Sequence, residues 1–411
     1  MISKTLKNCR ICLSKKLKTY IDLGNQPPSN SFIEKKNQKE LKFPLRVKLC
    51  INCGLSQLDT VVSHKYIFSD YMYLSSTSKA LVNHYDGMVK DLIKKYKFKK
   101  NDLIIDVGCN DGIILDCYGK KFTNLIGIEP SSAGKYAKKK GYNVIKDFFT
   151  HDLSLKIKKR AGLAKLITAT NVFAHVDDIR NFTSGIKNLL DKEKGMFVIE
   201  FPYLLDMLKD LYYDTIYHEH LSYLLITPIS KLFEFYDLRI FNIIKTNLGA
   251  SGPAVRVFVC SKNSKFKISK NVNKFLRNEK RKKIKKMDLY LKFSSNVKKN
   301  RLKLKSIIES LNNKGKNVGA FGAPAKGNTL LNFLNLSKSQ ILAVAENNKL
   351  KINKYTPGTK IKIISDSDFN KLNFDYALLL SWNYLNFFKK NSDFYKNNGK
   401  FIVPFPKPKI I

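Results

Sequence analysis

The hydrophobic positions divide the chain into a short, turn-rich beginning and two longer stretches in which strands and helices alternate. Residues 1 to about 74 contain short apolar segments, and Gly24–Pro28 breaks any long helix there. From 75 to 262, and again from 315, apolar runs alternate with segments of helical spacing, which predicts mostly parallel sheets. The predicted strands are Leu103–Val107, Leu125–Ile128, Val144–Ile145, Leu166–Ala169, Phe197–Glu200, Leu238–Ile244, Ala254–Cys260, Val318–Phe321, Ile341–Ala345, Tyr376–Leu380 and Phe401–Val403.

A Lys-rich segment joins the two alternating stretches. Residues 263–314 have helical spacing and no predicted strand, so we expect a long helical connection there. A chain of 411 residues also exceeds one typical domain. The pattern therefore predicts three domains, at residues 1–74, 75–262 and 263–411.

The two alternating stretches share a weak internal repeat. In the first, a strand leads into Asp106–Gly112, and the next strand ends at Glu129. In the second, a strand leads into Gly319–Gly322, and the next strand ends at Glu346. Each half has the order strand, glycine turn, helix, strand and acid, which predicts two nucleotide-binding-type units in tandem.

The composition is that of a folded protein. Apolar residues make up 44% of the chain and charged residues 26%, which excludes wholesale disorder. Apolar runs fall short of the roughly 18 residues of a membrane helix, and residues 1–7 lack the apolar core of a secretory signal. We therefore expect a cytoplasmic monomer with no membrane partner.

The formal charge of +42 comes from lysine far more than from arginine, with 66 Lys against 9 Arg. Arginine is the residue that reads bases and phosphates with a bidentate fork. The lysines are spread over every segment beside abundant Asn, Ile, Phe and Tyr, a mixture typical of an AT-rich genome. We therefore expect no nucleic-acid partner, with an RNA-binding patch at the densest cluster, Lys280–Lys286, as the alternative.

Four of the seven cysteines form two Cys-x-x-Cys pairs, Cys9 with Cys12 and Cys50 with Cys53. An odd number of cysteines without a secretory signal argues against a disulfide framework. Two such pairs supply four thiolates for one tetrahedral ion, whereas a redox dithiol needs only one pair. Because four thiolates leave no position for water, the sequence predicts a structural zinc ion.

The glycine turn after the first predicted strand favours S-adenosylmethionine over a dinucleotide. Dinucleotide sites use G-x-G-x-x-G, but here Asn110 replaces the middle glycine between Gly108 and Gly112. S-adenosylmethionine carries no phosphate and has a cationic sulfonium. The carboxylates of Asp106 and Asp111 suit its ammonium and sulfonium charges.

Further candidates follow the neighbouring strands. Glu129 ends the second strand, where its carboxylate would accept hydrogen bonds from both ribose hydroxyls. Asp147 and Phe148 follow the third strand and would bracket the adenine, and Asn171 follows the fourth. An ordinary α/β turn is the alternative interpretation of this region.

The segment Tyr217-His218-Glu219-His220 combines a phenol, a carboxylate and two of the six histidines. It lacks the HExxH pattern of zinc proteases, so it predicts no catalytic metal. The arrangement favours proton transfer, with a histidine base oriented by a carboxylate and a tyrosine hydroxyl near developing oxygen charge. A structural hydrogen-bonded cluster is the alternative.

The loop Gly322–Leu330 has three features that suit a diphosphate. Its residues are small, a helix is expected to begin near Asn328, and Lys326 supplies a cation. Backbone amides at a helix N-terminus together with a lysine form an anion site. A plain strand–helix turn is the alternative.

These motifs together resemble the sugar C-methyltransferases of deoxysugar pathways, over nearly the whole chain. The resemblance is carried by the cysteine region with Leu23–Asn30, Tyr71–Ser78, Gly108–Gly112, Gly127–Ser131 with Pro130 beside the cofactor, Asn171–His175, Tyr217–His220, Gly322–Leu330 and Pro357-Gly358. It implies an α/β fold with a zinc-binding domain, a class I methyltransferase core that binds S-adenosylmethionine, and a second Rossmann-like domain that helps to hold a nucleoside-diphosphate sugar.

The reaction that the resemblance implies is methylation of the carbon next to the keto group of a 4-keto-6-deoxy sugar. By motif match, His220 is the base, with Tyr217, Glu219 and Tyr73 around the sugar; His218 is the rival base. The remaining substrate contacts that we expect are His175, Arg256, Lys326, Asn328 and Thr329. The turn Gly249–Pro253 departs from the His-Gly-Gly-Ser type of the family, which affects the contacts of that loop. An O-methyltransferase, an RNA methyltransferase and a non-catalytic nucleotide-sugar binding protein are the alternatives.

Overall fold

The computed structural model describes residues 2–68, 74–247, 249 and 252–411. Its amino-terminal region is a small antiparallel β structure. The elements are β1 (Ser3–Thr5), β2 (Leu17–Gln26), β3 (Phe43–Cys50), β4 (Ser56–Leu58), β5 (Thr60–Val62) and α1 (His64–Phe68). The pairs β2–β3, β3–β4 and β1–β5 are all antiparallel. Gly24, at a φ of +80°, lies in an irregular part of the β2–β3 pairing, so β2 continues into the segment Gly24–Pro28 as far as Gln26.

The middle region is built on a seven-stranded sheet. Its elements are α2 (Lys79–Tyr96), β6 (Ile104–Val107), α3 (Ile113–Tyr118), β7 (Leu125–Ile128), α4 (Gly134–Lys139), β8 (Asn143–Ile145), α5 (His151–Ala161), β9 (Leu166–Thr170), α6 (Ile179–Leu189), β10 (Met196–Pro202), α7 (Leu204–Asp210), β11 (Ser222–Tyr223), α8 (Ile226–Phe235), β12 (Leu238–Thr246) and β13 (Ala254–Ser261). The strand order is β12-β13-β10-β9-β6-β7-β8, and only β13 runs against its neighbours. The direction of winding changes between β6 and β9, which is where α/β sheets open a ligand crevice.

The strand β11 is not part of this sheet. It pairs with β4 and so adds an edge to the amino-terminal sheet. Because β11 follows the Tyr217–His220 segment directly, this pairing fixes that segment between the two regions.

The carboxyl-terminal region begins with two helices and continues into a second, mostly parallel sheet. Its elements are α9 (Lys270–Arg281), α10 (Met287–Asn313), β14 (Val318–Phe321), α11 (Ala325–Leu334), β15 (Val344–Glu346), β16 (Ile363–Ser365), α12 (Asp366–Lys371), β17 (Tyr376–Leu379), α13 (Leu385–Asn391), α14 (Asp393–Lys396), β18 (Lys400–Val403) and β19 (Lys409–Ile410). The strand order is β16-β15-β14-β17-β18-β19, with β19 antiparallel at one edge.

Every strand predicted in the two alternating stretches is present. The largest difference is β15, which begins at Val344 rather than Ile341. The predicted helical connection is also present, but α9 ends at Arg281 and a turn follows, with Lys283 at a φ of +53°. Most of the cluster Lys280–Lys286 therefore lies in a turn and not on a helix face.

One apolar cluster runs through all three regions, from Cys9 to Phe405. Strands such as β6, β9 and β13 are buried along almost their whole length, which is the burial expected of strands covered on both faces. No helix of the described residues is both long and apolar enough to cross a membrane.

Candidate active site

The four cysteines of the two pairs lie together. The Sγ atoms of Cys9 and Cys53 are 3.5 Å apart, as are those of Cys12 and Cys50, and all four lie within 4.8 Å of one another. A zinc ion at about 2.3 Å from each of four tetrahedral thiolates requires sulfur atoms roughly 3.8 Å apart. The donor set therefore fits Zn²⁺, and with four thiolates engaged no coordination position is left for a reacting water.

A cavity of about 750 Å³ lies where the three regions meet, at the carboxyl ends of β6 to β9 and of β14. It brings together most of the residues that the sequence singled out for chemistry. Those that line it are Asp106, Gly108, Asn110, Glu129, Pro130, Asp147, Phe148, Asn171, His175, Tyr217, Glu219, His220 and Lys326. Tyr73 lies outside the described residues.

The other described candidates do not line this cavity. The guanidinium of Arg256 donates to the Glu200 carboxylate at 2.8 and 3.0 Å, inside the sheet. The amide of Asn328 donates to the Ser29 carbonyl at 2.7 Å, and the hydroxyls of Thr329 and Ser29 lie 3.1 Å apart. The two contacts with Ser29 join the carboxyl-terminal region to the amino-terminal region, and the pattern of a strand–helix turn gives no indication of them.

Asp111 and Gly112 also lie behind the cavity wall. The Asp111 carboxylate accepts hydrogen bonds from the backbone N–H and the hydroxyl of Ser76, while its Oδ1 is buried without a partner among the described residues. Gly112 has a φ of +87° and precedes α3. Both residues therefore contribute to the shape of the turn without lining the cavity.

The glycine turn and Glu129 form one hydrogen-bonded unit. The Glu129 carboxylate accepts from the backbone N–H of Asn110 at 3.0 Å and from that of Ser131 at 2.8 Å. Gly108 has a φ of +71°, and a Cβ there would overlap the Val172 side chain. The turn consequently needs glycine for its backbone and Glu129 for its shape.

The acids around this turn fit a cationic cofactor. Asp106 is buried, and its Oδ1 accepts from the Thr168 hydroxyl at 2.6 Å. Burial raises the pKa of Asp106 to about 7, which leaves its charge sensitive to a bound cation. With Glu129 and Asp147 in the same wall, this part of the cavity suits a sulfonium and its ribose.

His220 is oriented by a backbone carbonyl. Its Nδ1 lies 2.8 Å from the Thr215 oxygen, and because a carbonyl only accepts, Nδ1 carries the hydrogen. The Nε2 of the neutral ring then accepts from the Tyr217 hydroxyl at 2.8 Å. Burial lowers the pKa of His220 to about 4, so the ring is neutral at pH 7 with its lone pair at Nε2.

Glu219 does not have the orienting contact that the sequence predicted. Its Oε1 accepts from the side-chain amide of Asn30 at 2.7 Å, while Thr215 orients the imidazole. Burial raises the pKa of Glu219 to about 7, against the opposing effects of the Asn30 hydrogen bond and the Lys351 charge. Glu219 is therefore a second group in the cavity that titrates near neutral pH.

The two other histidines of this region differ in position. His218 faces the amino-terminal region, with Nε2 3.3 Å from the Phe43 oxygen, and does not line the cavity. His175 lines the cavity, with its ring centroid 4.9 Å from that of His220 and its Nε2 without a partner among the described residues. Burial holds the pKa of His175 well below its usual range. The geometry thus separates His218 from the cavity chemistry.

The carboxyl-terminal region contributes two buried lysines. Lys326 Nζ donates to Asn383 Oδ1 at 2.6 Å and lies 3.8 Å from the centre of the Trp382 ring. Lys351 Nζ donates to the Ala323 carbonyl at 2.8 Å. Burial lowers the pKa of both lysines, and a bound anion would oppose that effect.

The internal repeat includes a hydrogen bond between the repeated acid and the glycine turn. Glu346 accepts from the backbone N–H of Ala323 at 2.9 Å, as Glu129 accepts from that of Asn110 in the first half. Lys351 and Asn30 are cavity residues that the sequence reasoning missed. The available signals were weak, namely the position of Lys351 shortly after the repeated acid and that of Asn30 at the end of the Leu23–Asn30 motif.

Three family models match the chain in succession. They are a zinc-binding domain over residues 9–68, a methyltransferase domain over 82–242 and a C-methyltransferase C-terminal domain over 249–406. A full-length relative, the C-methyltransferase NovU of Streptomyces niveus, is 28% identical over 414 residues, which cover 100% of this chain and 98% of the relative.

Solved structures resemble a smaller part of the chain. A SAM-dependent methyltransferase from Anabaena variabilis is 18% identical with a TM-score of 0.35, over 44% of this chain and 85% of that one. The magnesium protoporphyrin IX methyltransferase of Synechocystis is 15% identical with a TM-score of 0.33, over 43% and 82%.

The family models and the full-length relative confirm the predicted fold class and the two predicted cofactors, S-adenosylmethionine and structural zinc. The exact domain boundaries remain predictions. The chain is an S-adenosylmethionine-dependent C-methyltransferase in which matches to a zinc-binding domain, a methyltransferase domain and a C-methyltransferase C-terminal domain follow one another.

Proposed function

We propose that the cavity methylates the carbon next to the keto group of a nucleoside-diphosphate 4-keto-6-deoxy sugar. The observation that supports this most directly is the content of the one 750 Å³ cavity. Its walls combine the glycine turn and Glu129, the hydrogen-bonded pair Tyr217 and His220, and the cation Lys326. The groups that would bind the cofactor, accept the proton and bind the diphosphate therefore line the same cavity.

The proton step is assigned to His220. The neutral Nε2 takes the proton from the carbon next to the ketone, the C–H bond breaks, and its electron pair moves into an enolate. Because Nε2 has a single lone pair, the Tyr217 hydroxyl must first turn from Nε2 to the substrate's keto oxygen, where it then donates to the enolate oxygen. S-adenosylmethionine, when bound, supplies an electrophilic methyl group, and the enolate carbon is the nucleophile that a C-methyltransferase requires.

The two buried lysines are assigned to the diphosphate. Lys326 and Lys351 both line the cavity, and both come from the carboxyl-terminal region, whereas the glycine turn comes from the middle region. A diphosphate there would receive two charge-assisted hydrogen bonds, which are about twice as strong as neutral ones. The sugar between them and the cofactor would then lie beside Tyr217, Glu219 and His220.

The test of the reaction class is product analysis. Enzyme with methyl-labelled S-adenosylmethionine is incubated with uridine and thymidine diphosphate 4-keto-6-deoxy sugars, and the products are examined by mass spectrometry and NMR. We expect one methyl group on carbon, and no transfer to the matched sugars that lack the ketone. Methylation of oxygen, or of RNA in place of the sugars, would contradict the proposal.

Replacement of Glu129 by alanine is expected to weaken S-adenosylmethionine binding by about 1.5–3 kcal/mol, the scale of a hydrogen bond to a charged group. The change removes the ribose acceptor and also releases the Asn110 backbone N–H of the glycine turn. Isothermal calorimetry measures the loss. Glu193→Ala, at an exposed carboxylate of the same region, serves as the control, and equal affinity in the two variants would count against the assignment.

Replacement of Lys326 by alanine is expected to raise the KM for the nucleotide sugar about 10- to 100-fold, because one charge-assisted contact is lost. Trp382 is the only tryptophan, and its ring lies next to the Lys326 ammonium, so its fluorescence offers a direct titration with uridine or thymidine diphosphate. Cofactor affinity should stay unchanged, as should all values in Lys400→Ala, at an exposed position. A variant that lost cofactor affinity alone would refute the assignment.

The acidic limb of the pH–rate profile is expected near pH 7, because the pKa of Glu219 is raised to about 7. Below that pH the carboxyl becomes protonated and loses its negative charge, which weakens the hydrogen bond that it accepts from a sugar hydroxyl, so activity falls as pH falls. Glu219→Gln keeps an acceptor oxygen but does not titrate. The acidic limb of the pH–rate profile of this variant should therefore move to lower pH, toward the pKa of His220, about 4. Saturating cofactor keeps the Asp106 titration out of the measurement, and an unmoved limb would exclude Glu219 as its source.

A further inference from the structure

A buried carboxylate, Asp214, has no part in the mechanism above. It is fully buried in the short 3₁₀ turn Tyr213–Thr215 and does not line the cavity. Its Oδ2 accepts from the indole N–H of Trp382 at 2.6 Å, while its Oδ1 has no hydrogen-bond partner among the described residues. Burial raises the pKa of Asp214 to about 6, against the opposing effects of the Lys326 charge, the Trp382 hydrogen bond and the backbone N–H groups of the turn itself.

The turn that carries Asp214 also orients the base. Thr215, the next residue, presents the carbonyl that accepts from His220 Nδ1 at 2.8 Å. The position of this carbonyl decides which nitrogen carries the hydrogen and which nitrogen offers its lone pair to the cavity. Anything that holds the turn therefore also holds the base in its working tautomer.

The carboxyl-terminal region contacts this turn at several residues. The Trp382 ring stacks on Tyr212 at 4.2 Å between centroids, and the Tyr213 hydroxyl donates to Asn300 at 2.9 Å. The Lys326 ammonium lies 3.8 Å from the centre of the same Trp382 ring. The negative charge of Asp214 favours the protonated form of Lys326. One tryptophan thus touches both the diphosphate side of the cavity and the turn behind the base.

We propose that Trp382 and Asp214 are positioning residues that hold the Thr215 carbonyl against His220 and join this contact to Lys326. The inference rests on the proposed function for the role of His220 as the base. It goes beyond that function because it assigns the orientation of the base to the carboxyl-terminal region, which supplies neither the base nor the cofactor turn.

The first measurement needs no substrate. The chain has only six histidines, so ¹⁵N-histidine NMR separates the rings, and the His220 signals are identified by their loss in His220→Gln. The wild type should show His220 protonated at Nδ1. Trp382→Phe keeps the ring stacking but removes the N–H donor, and Asp214→Leu removes the acceptor; both should lose that signature. Asp214→Asn keeps an acceptor oxygen and should retain it.

The second measurement is kinetic. In Trp382→Phe we expect kcat to fall about tenfold, the scale of one hydrogen bond, with the KM for the nucleotide sugar unchanged. In Asp214→Asn we expect the reverse, a raised KM with kcat close to wild type, because Lys326 loses its counter-charge while the turn keeps its hydrogen bond. Tyr376→Phe, a conservative aromatic change on β17 of the same region, should change neither.

The outcomes separate the two proposals. An unchanged His220 spectrum together with an unchanged kcat in Trp382→Phe would overturn the positioning role. A wild type that is inactive on every nucleotide keto sugar would remove the proposed function, and the NMR comparison would still decide whether Trp382 and Asp214 orient His220.

Discussion

Replacement of His220 by alanine or asparagine is expected to abolish both methyl transfer and the exchange of the substrate's acidic proton with solvent. Neither side chain can take a proton near neutral pH, and loss of a placed base costs about 10²–10⁴ in rate. In D₂O, mass spectrometry of recovered substrate measures the exchange directly. The affinity for S-adenosylmethionine should stay nearly unchanged, because His220 lies beside Tyr217 and not in the unit formed by the glycine turn and Glu129.

His218→Asn is the matched control for this experiment. The two histidines are two residues apart and both are buried, but His218 lies against the Phe43 carbonyl, away from the cavity. We therefore expect exchange and methylation to persist in that variant. The opposite pattern, with exchange in the His220 variants and none in the His218 variant, would move the base to His218. Normal methylation in both variants would make the whole segment structural.

Replacement of Cys50 by serine is expected to release the zinc ion and unfold the amino-terminal region. Structural zinc contributes about 10–16 kcal/mol, which is comparable to the roughly 5–15 kcal/mol by which a whole domain is stable. Elemental analysis should find about one zinc per chain in the wild type and far less in the variant. The loss should extend to catalysis, because Asn30 of this region holds the Glu219 carboxylate.

Cys117→Ser is the control for the zinc experiment. Cys117 lies outside the four-sulfur cluster, and its Sγ donates to the Ile113 carbonyl inside α3. This variant should keep its zinc and its melting temperature within a few degrees. Freshly purified wild-type protein without zinc would contradict the assignment of the cluster.

Local sequence signals predicted most of the fold, and they failed where partners are distant in sequence. Apart from β11 and β16, the strands from β6 to β18 were predicted, because burial on both faces requires an apolar, β-branched composition. The three-residue strand β16 was missed. The strand β11 is two residues long and exists because it pairs with β4, more than 150 positions earlier, so no local pattern marks it.

The site shows the same division. Gly108, Glu129 and Lys326 lie on strand–turn–helix units whose geometry is local, and all three line the cavity. Arg256 was expected to contact the substrate, but its guanidinium donates to the Glu200 carboxylate on the neighbouring strand. Spacing along the sequence does not predict this contact. The orienting partner of His220 was expected to be a carboxylate, but a backbone carbonyl has no side-chain identity that a sequence could display.

The strand β11 also has a consequence for how the chain is made. The amino-terminal region leaves the ribosome before the other two regions. The outer edge of β4 has no strand on it until Ser222–Tyr223 has been synthesised. The contacts of Ser29 with Asn328 and of Glu40 with Gly358 need chain that is made later still. An uncovered strand edge invites wrong pairing. Nascent chains halted before residue 222 should therefore associate or recruit chaperones even when fully loaded with zinc, and an exchange of the first domain between relatives should succeed only when β11 is exchanged with it.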